Sequence, residues 1–119
     1  ILDACGDELP VWSGNDDLTV PLLSLGAKGV ISVLSNVRPK RTLQMVRACQ
    51  AGDYAAAGRM QVALTPLIDA LFSEINPIPV KQALSLMGIP AGLPRLPLTP
   101  LSATHLPALE QALSAAPEP

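Results

Sequence analysis

At 119 residues, 49% hydrophobic and 15% charged, the chain is long enough for one domain with a core and too apolar for a disordered segment. Its net charge of −2, without a basic cluster, leaves no electrostatic footprint for nucleic acid, and Trp12, Tyr54 and Phe72 are too few aromatics for a base-stacking platform. No apolar run approaches the roughly 18 to 20 residues that span a bilayer, and Asp3 and Asp7 break the opening stretch where a signal peptide would need its apolar core.

Residues 1–6 read as the last turn of a helix stopped at Gly6. Leu9 to Ser13 is a short apolar run of strand character, with Pro10 tolerated at a strand start. Asn15 or Asp16 then caps a helix from Asp17 to Leu25 whose apolar face carries Leu18, Leu22 and Leu25, and Gly26 ends it. Gly29 leads into a second run, Val30 to Leu34. Strand, helix, strand in this order is the unit that builds parallel sheets, and two parallel strands cannot stand alone. The expectation is therefore a piece of a larger α/β barrel or sheet whose other strands precede Ile1, which is also not a Met.

Beyond Asn36 the pattern is helical. Arg38 to Ala51 places Leu43, Val46 and Cys49 or Gln50 on one side, with Pro39 in its first turn and Gly52 as its stop. Asp53 caps a longer helix to Phe72, with Met60, Leu64, Leu67, Ile68 and Leu71 at 3.6 spacing and Pro66 expected to kink it. Asn76-Pro77-Ile78-Pro79 is a rigid turn opening a helix from Val80 to Met87. Residues 88–100, rich in Pro and Gly, read as extended. Ser102 or Thr104 caps a last helix carrying Leu106, Leu109 and Leu113, and Ala116 to Pro119 should fray. The division falls near Gly52: 1–51 as two βα units, 52–119 as a helical domain.

Ligands of parallel α/β folds bind at the carboxyl ends of strands, here Ser13-Gly14-Asn15 and Val33 to Asn36. Gly14 leaves its backbone open to close approach, although a turn requirement explains such a glycine as well. Asp16 and Asp17 are adjacent rather than facing, and read as helix capping. His105, the sole histidine, has no Cys, Asp or Glu at ligand spacing and reads as a solvated surface residue; no metal or cofactor is implied. Cys5 and Cys49 lie far apart and read as reduced thiols, which points to the cytoplasm. A Schiff-base lysine needs a buried place near a strand end, and Lys28, Lys40 and Lys81 lack it. The chain carries no complete active site.

Ser13-Gly14-Asn15-Asp16, Leu25-Gly26-Ala27-Lys28-Gly29-Val30-Ile31-Ser32-Val33 and Asn36-Val37 resemble the seventh and eighth strands of the dihydrodipicolinate synthase family. Glu74 to Lys81, with Asn-Pro-Ile-Pro-Val-Lys at its heart, and Leu93 to Pro100 are similar to that family's helical-domain segments, in order and in register over nearly the whole chain. Asn15 stands where the family more often has Asp, Leu34-Ser35 where it has Thr-Ala, and Ile75 where it has Pro. The resemblance implies a C-terminal portion of a (β/α)₈ barrel with a three-helix extension. It implies a tetramer of tight dimers, and condensation of pyruvate with aspartate 4-semialdehyde towards lysine and diaminopimelate. The Schiff-base lysine and a proton-relaying tyrosine would lie in about 170 residues upstream, judged from the size of a barrel. Gly14 and Ile31 match residues that line the pyruvate pocket; no catalytic residue carries over. Two rivals remain: another pyruvate lyase of the N-acetylneuraminate lyase superfamily, and a non-catalytic helical interaction module that uses the stripe from Met60 to Leu71.

Overall fold

The computed structural model describes residues 1–118, Asp7 by its backbone alone. Two short strands, β1 (Trp12–Ser13) and β2 (Gly29–Val30), pair in parallel with Trp12 opposite Gly29 and Ser13 opposite Val30. Around them the order is α1 (Leu2–Cys5), α2 (Thr19–Ser24), α3 (Pro39–Gln50), α4 (Tyr54–Leu71), α5 (Ile78–Leu86) and α6 (Leu106–Ala115). Helical turns at Gly6–Glu8, Asp16–Leu18 and Leu34–Asn36 join them. None of the described helices is long and apolar enough to cross a membrane.

The main core is built on α4. Leu64, Leu67, Ile68 and Leu71 are buried, as their spacing requires, against Leu34, Val37 and Met45 on one side and Val80, Ala83, Leu109 and Leu113 on the other. This core joins residues from both sides of Gly52. Asp53 caps α4 by accepting from the Ala56 N–H at 2.9 Å. Pro66 removes the N–H that would reach the Val62 carbonyl, but Val62 is exposed, so water can take that place and α4 continues to Leu71.

Several sequence expectations shift. The second strand is shorter than Val30 to Leu34: Ile31 still donates its N–H to Ser13 O at 2.8 Å, but the amides of Val33 and Leu34 turn to the Asp16 carboxylate and open a helical turn instead. The second helix buries Thr19 and Leu23, not Leu18 and Leu25, which is 70% exposed. Its entry, Asp16–Leu18, is 3₁₀, and the tighter winding rotates every later side chain out of the phase assumed for a pure α-helix. In α3 the buried set is Thr42, Met45 and Cys49, while Leu43 lies on an open flank beside Trp12 and Val30.

The start of α6 is not capped by Ser102 or Thr104. His105 occupies the cap position, and Ser102 instead donates its N–H to Glu74 Oε1 at 3.1 Å and its hydroxyl to the same oxygen. His105 is likewise not simply solvated: its Nδ1 lies 3.1 Å from Glu74. Ser102, with a smaller contribution from His105, holds the Glu74 carboxyl below its usual range. Nor does the tail fray at Ala116. The buried Arg38 guanidinium donates to Leu113 O at 2.7 Å, to Val37 O at 2.6 Å and to Ala116 O, while Arg41 donates to Pro117 O. Carbonyls left bare at the end of α6 thus receive a buried cation. Burial pulls the Arg38 pKa down and the nearby Glu118 charge opposes that. Pro119, the last residue of the expected frayed tail, lies outside the described residues. Cys5 and Cys49 are both free thiols, and burial pushes the Cys49 thiol up.

Candidate functional site

Parallel pairing sends the carboxyl ends of β1 and β2 out of the sheet on the same side. Gly14 follows Ser13 and Ile31 follows Val30, so the register that pairs Ser13 with Val30 sets Gly14 and Ile31 side by side. Both border one open cleft of about 640 Å³. Gly14 is not demanded by a turn: its φ is not positive, and a Cβ added there would meet nothing within 4 Å. What the glycine leaves is bare backbone at the strand end. The Ile31 side chain stands 71% exposed on the cleft and gives it an apolar border.

The far border of the cleft comes from the helical half. Pro77, Val80, Lys81 and Leu84 recur at the spacing of one helix face, and that face of α5 turns to the strand ends together with Asn76, Asn36 and Ala91. Sequence reading took Asn-Pro-Ile-Pro-Val-Lys as a mark of the fold and missed it as a lining element. The signal was present in the i, i+3, i+4, i+7 pattern of positions 77, 80, 81 and 84. Lys81 donates from Nζ to the Ala91 carbonyl at 2.5 Å, tying residues 88–92 down beside the cleft. Lys28 instead borders the other flank, with Trp12, Val30 and Leu43, and Lys40 sits in the first turn of α3. Lys28 and Lys40 are exposed, whereas Lys81, which the sequence placed away from any ligand site, is half-buried on the cleft with its Nζ bonded to the Ala91 carbonyl.

One buried charge stands behind the cleft. Asp16 is 1% exposed, and its carboxylate caps neither the turn it begins nor α2, contrary to the capping expected there. Oδ1 accepts from the Ser32 hydroxyl at 2.5 Å; Oδ2 accepts from the amides of Val33 and Leu34, each at 2.9 Å. Its backbone carbonyl accepts from Gln61 Nε2 on α4 at 3.0 Å. Asp17, its neighbour, is exposed. Among the described residues no cluster of His, Cys, Asp and Glu could hold a metal ion.

Known proteins match this chain as a part of something longer. The 4-hydroxy-tetrahydrodipicolinate synthase of Acetivibrio thermocellus is 46% identical over 113 residues, which cover 95% of this chain and 39% of that protein. Among solved structures, the chloride-inhibited dihydrodipicolinate synthase of Acinetobacter baumannii, complexed with pyruvate, superposes with a TM-score of 0.90 at 40% identity. The match covers 96% of this chain and 39% of that one. A monomeric dihydrodipicolinate synthase variant superposes with a TM-score of 0.87 at 44% identity, over 95% of this chain and 38% of the other. The chain thus spans less than two-fifths of the length of these relatives. The model of the dihydrodipicolinate synthetase family matches residues 1–116, and the chain belongs to that family.

Proposed function

We propose that this chain forms the last two βα units and the helical extension of a closed (β/α)₈ barrel that condenses pyruvate with aspartate 4-semialdehyde. The activity would be that of a class I, Schiff-base 4-hydroxy-tetrahydrodipicolinate synthase on the route to lysine and diaminopimelate. The observation that carries this is the cleft at the carboxyl ends of two parallel strands, with Gly14 and Ile31 adjacent and open. Pyruvate would lie against both: the Ile31 side chain gives its methyl end an apolar wall, and Gly14 lets its planar acid approach the backbone closely. The amine that attacks the keto carbon, expelling water, would come from a lysine outside these 119 residues, as would the tyrosine that moves protons. Residues 1–51 would belong to the barrel and 52–119 to the helical domain, whose α5 closes one side of the cleft. Two free thiols agree with a reducing, cytoplasmic setting. A tetramer of tight dimers belongs to the same proposal.

A hybrid tests this: the chain replaces the matching segment of the Acetivibrio thermocellus synthase. We expect the hybrid to condense pyruvate with aspartate 4-semialdehyde, and borohydride to trap pyruvate on it. The 119-residue chain alone should show neither. Turnover or a trapped adduct on the chain alone contradicts the assignment of roles; a folded hybrid that accepts only sugar aldehydes moves the function to a different pyruvate lyase.

A further inference from the structure

We propose that Asp16 is a positioning residue for the pyruvate wall: its carboxylate holds the exit of β2 so that Ile31 stands at a fixed height beside Gly14. This rests on the function proposed above. Ile31 is held from both directions. Before it, its own N–H donates to Ser13 O across the strand pair at 2.8 Å. After it, the chain would run on as extended backbone, but Asp16 takes the Ser32 hydroxyl and the amides of Val33 and Leu34 and forces a turn at once. The Ser32 oxygen in turn accepts from the Ser35 amide at 2.8 Å, which tightens the same turn. A carboxylate suits this place because it is acceptor-only and meets three donors.

Asp16 is itself held. Its carbonyl accepts from Thr19 Oγ1 at 2.9 Å and from Gln61 Nε2, and Gln61 Oε1 accepts from the Val20 amide at 3.3 Å. Gln61 is a buried polar residue of α4, the helix on which the main core is built. The height of Ile31 over the cleft is thus referred through Gln61 to α4, the helix at the centre of the main core, rather than to a loop. Asp16 itself does not line the cleft, so it acts on substrate through Ile31 and Ser32. A displacement of about 1 Å at a reacting centre costs up to about a hundredfold in rate, which sets the scale of the effect.

The test uses the hybrid defined above. Asp16→Ala should raise KM for pyruvate about tenfold, with a smaller fall in kcat. Asp16→Glu keeps the charge but pushes the carboxylate one methylene outward, and should raise KM in the same direction. Asp16→Asn can still accept from both amides while its NH₂ turns to the Ser32 oxygen, and should stay within about threefold of the parent. Leu109→Ala, a truncation of a buried core residue that does not itself line the cleft, should lower Tm yet leave the pyruvate KM within about twofold. An active parent in which Asp16→Ala and Asp16→Glu leave KM unchanged, or in which Leu109→Ala shifts it equally, overturns the proposal. Amide exchange gives a reading independent of turnover. The Val33 and Leu34 amides should be protected in the parent and Asp16→Asn, and exchange about a hundredfold faster in Asp16→Ala. Unchanged protection overturns the clamp even if the parent hybrid is inactive, whereas an inactive hybrid with a lost clamp in Asp16→Ala faults only the assigned activity.

Discussion

Gly29 has no positive φ and no turn to make, yet an added Cβ would lie 2.4 Å from Cζ3 of Trp12, the residue paired with it across the strands. The glycine is there to let the indole lie flat over β2. Trp12 is half exposed, so its ring can swing aside at a cost below that of a sealed core. Gly29→Ala in the hybrid should therefore lose about 1 kcal/mol in urea unfolding. In a Trp12→Leu background the same change should become neutral or gain about 0.5 kcal/mol, because alanine narrows the unfolded ensemble. A loss that is the same in both backgrounds would show that the indole is not the obstacle. At this scale the sequence reveals chemistry but not partners. Asp16 could be read as an acceptor for bare helical N–H groups, and that is its role, but the N–H groups lie 17 and 18 residues away. Only the parallel pairing brings that turn within reach.

Helix stripes were legible where the helix is long and regular. The five apolar positions from Met60 to Leu71 predicted the inner face of α4, and four of them are fully buried with Met60 packed against the cluster. Short helices were harder, since one tight turn at an entry is enough to rotate the phase, as in α2. In α3 two apolar faces compete, and spacing alone cannot say which one meets the core. The clamp at the end of α6 was not legible at all: Arg38 and the carbonyls it binds are 75 and 78 residues apart. Arg38→Lys offers one compact charge in place of a fork of donors, so at least one buried carbonyl loses its partner. We expect a loss of about 2 kcal/mol in the hybrid and faster carboxypeptidase removal of residues 116–118. Equal digestion rates would mean that the Arg41 contact to Pro117 and the Lys40 amide's bond to Glu118 hold the tail without Arg38.

The whole chain has a radius of gyration of 15.4 Å, against about 13.5 Å for a compact domain of this length. The excess goes with apolar side chains left in the open: Ile31 on the cleft, and Trp12 and Leu43 on the flank along β2. A parallel sheet of only two strands has the same deficit, because such sheets are stable when both faces and both edges are covered. Alone in solution the chain should bind an apolar dye and self-associate, and the dye signal should fall in the hybrid. A dye-silent, monodisperse chain with one sharp melt would favour the independent interaction module instead.

Sequence alone was enough for the family, the strand–helix–strand start and the long α4, because these depend on local pattern and on motifs a few residues long. Tertiary structure decided which face of each short helix is inside, that α5 borders the cleft, and that Asp16 and Arg38 bond across the fold. Those outcomes depend on which distant groups meet, and a buried polar group takes whatever partner the packing delivers.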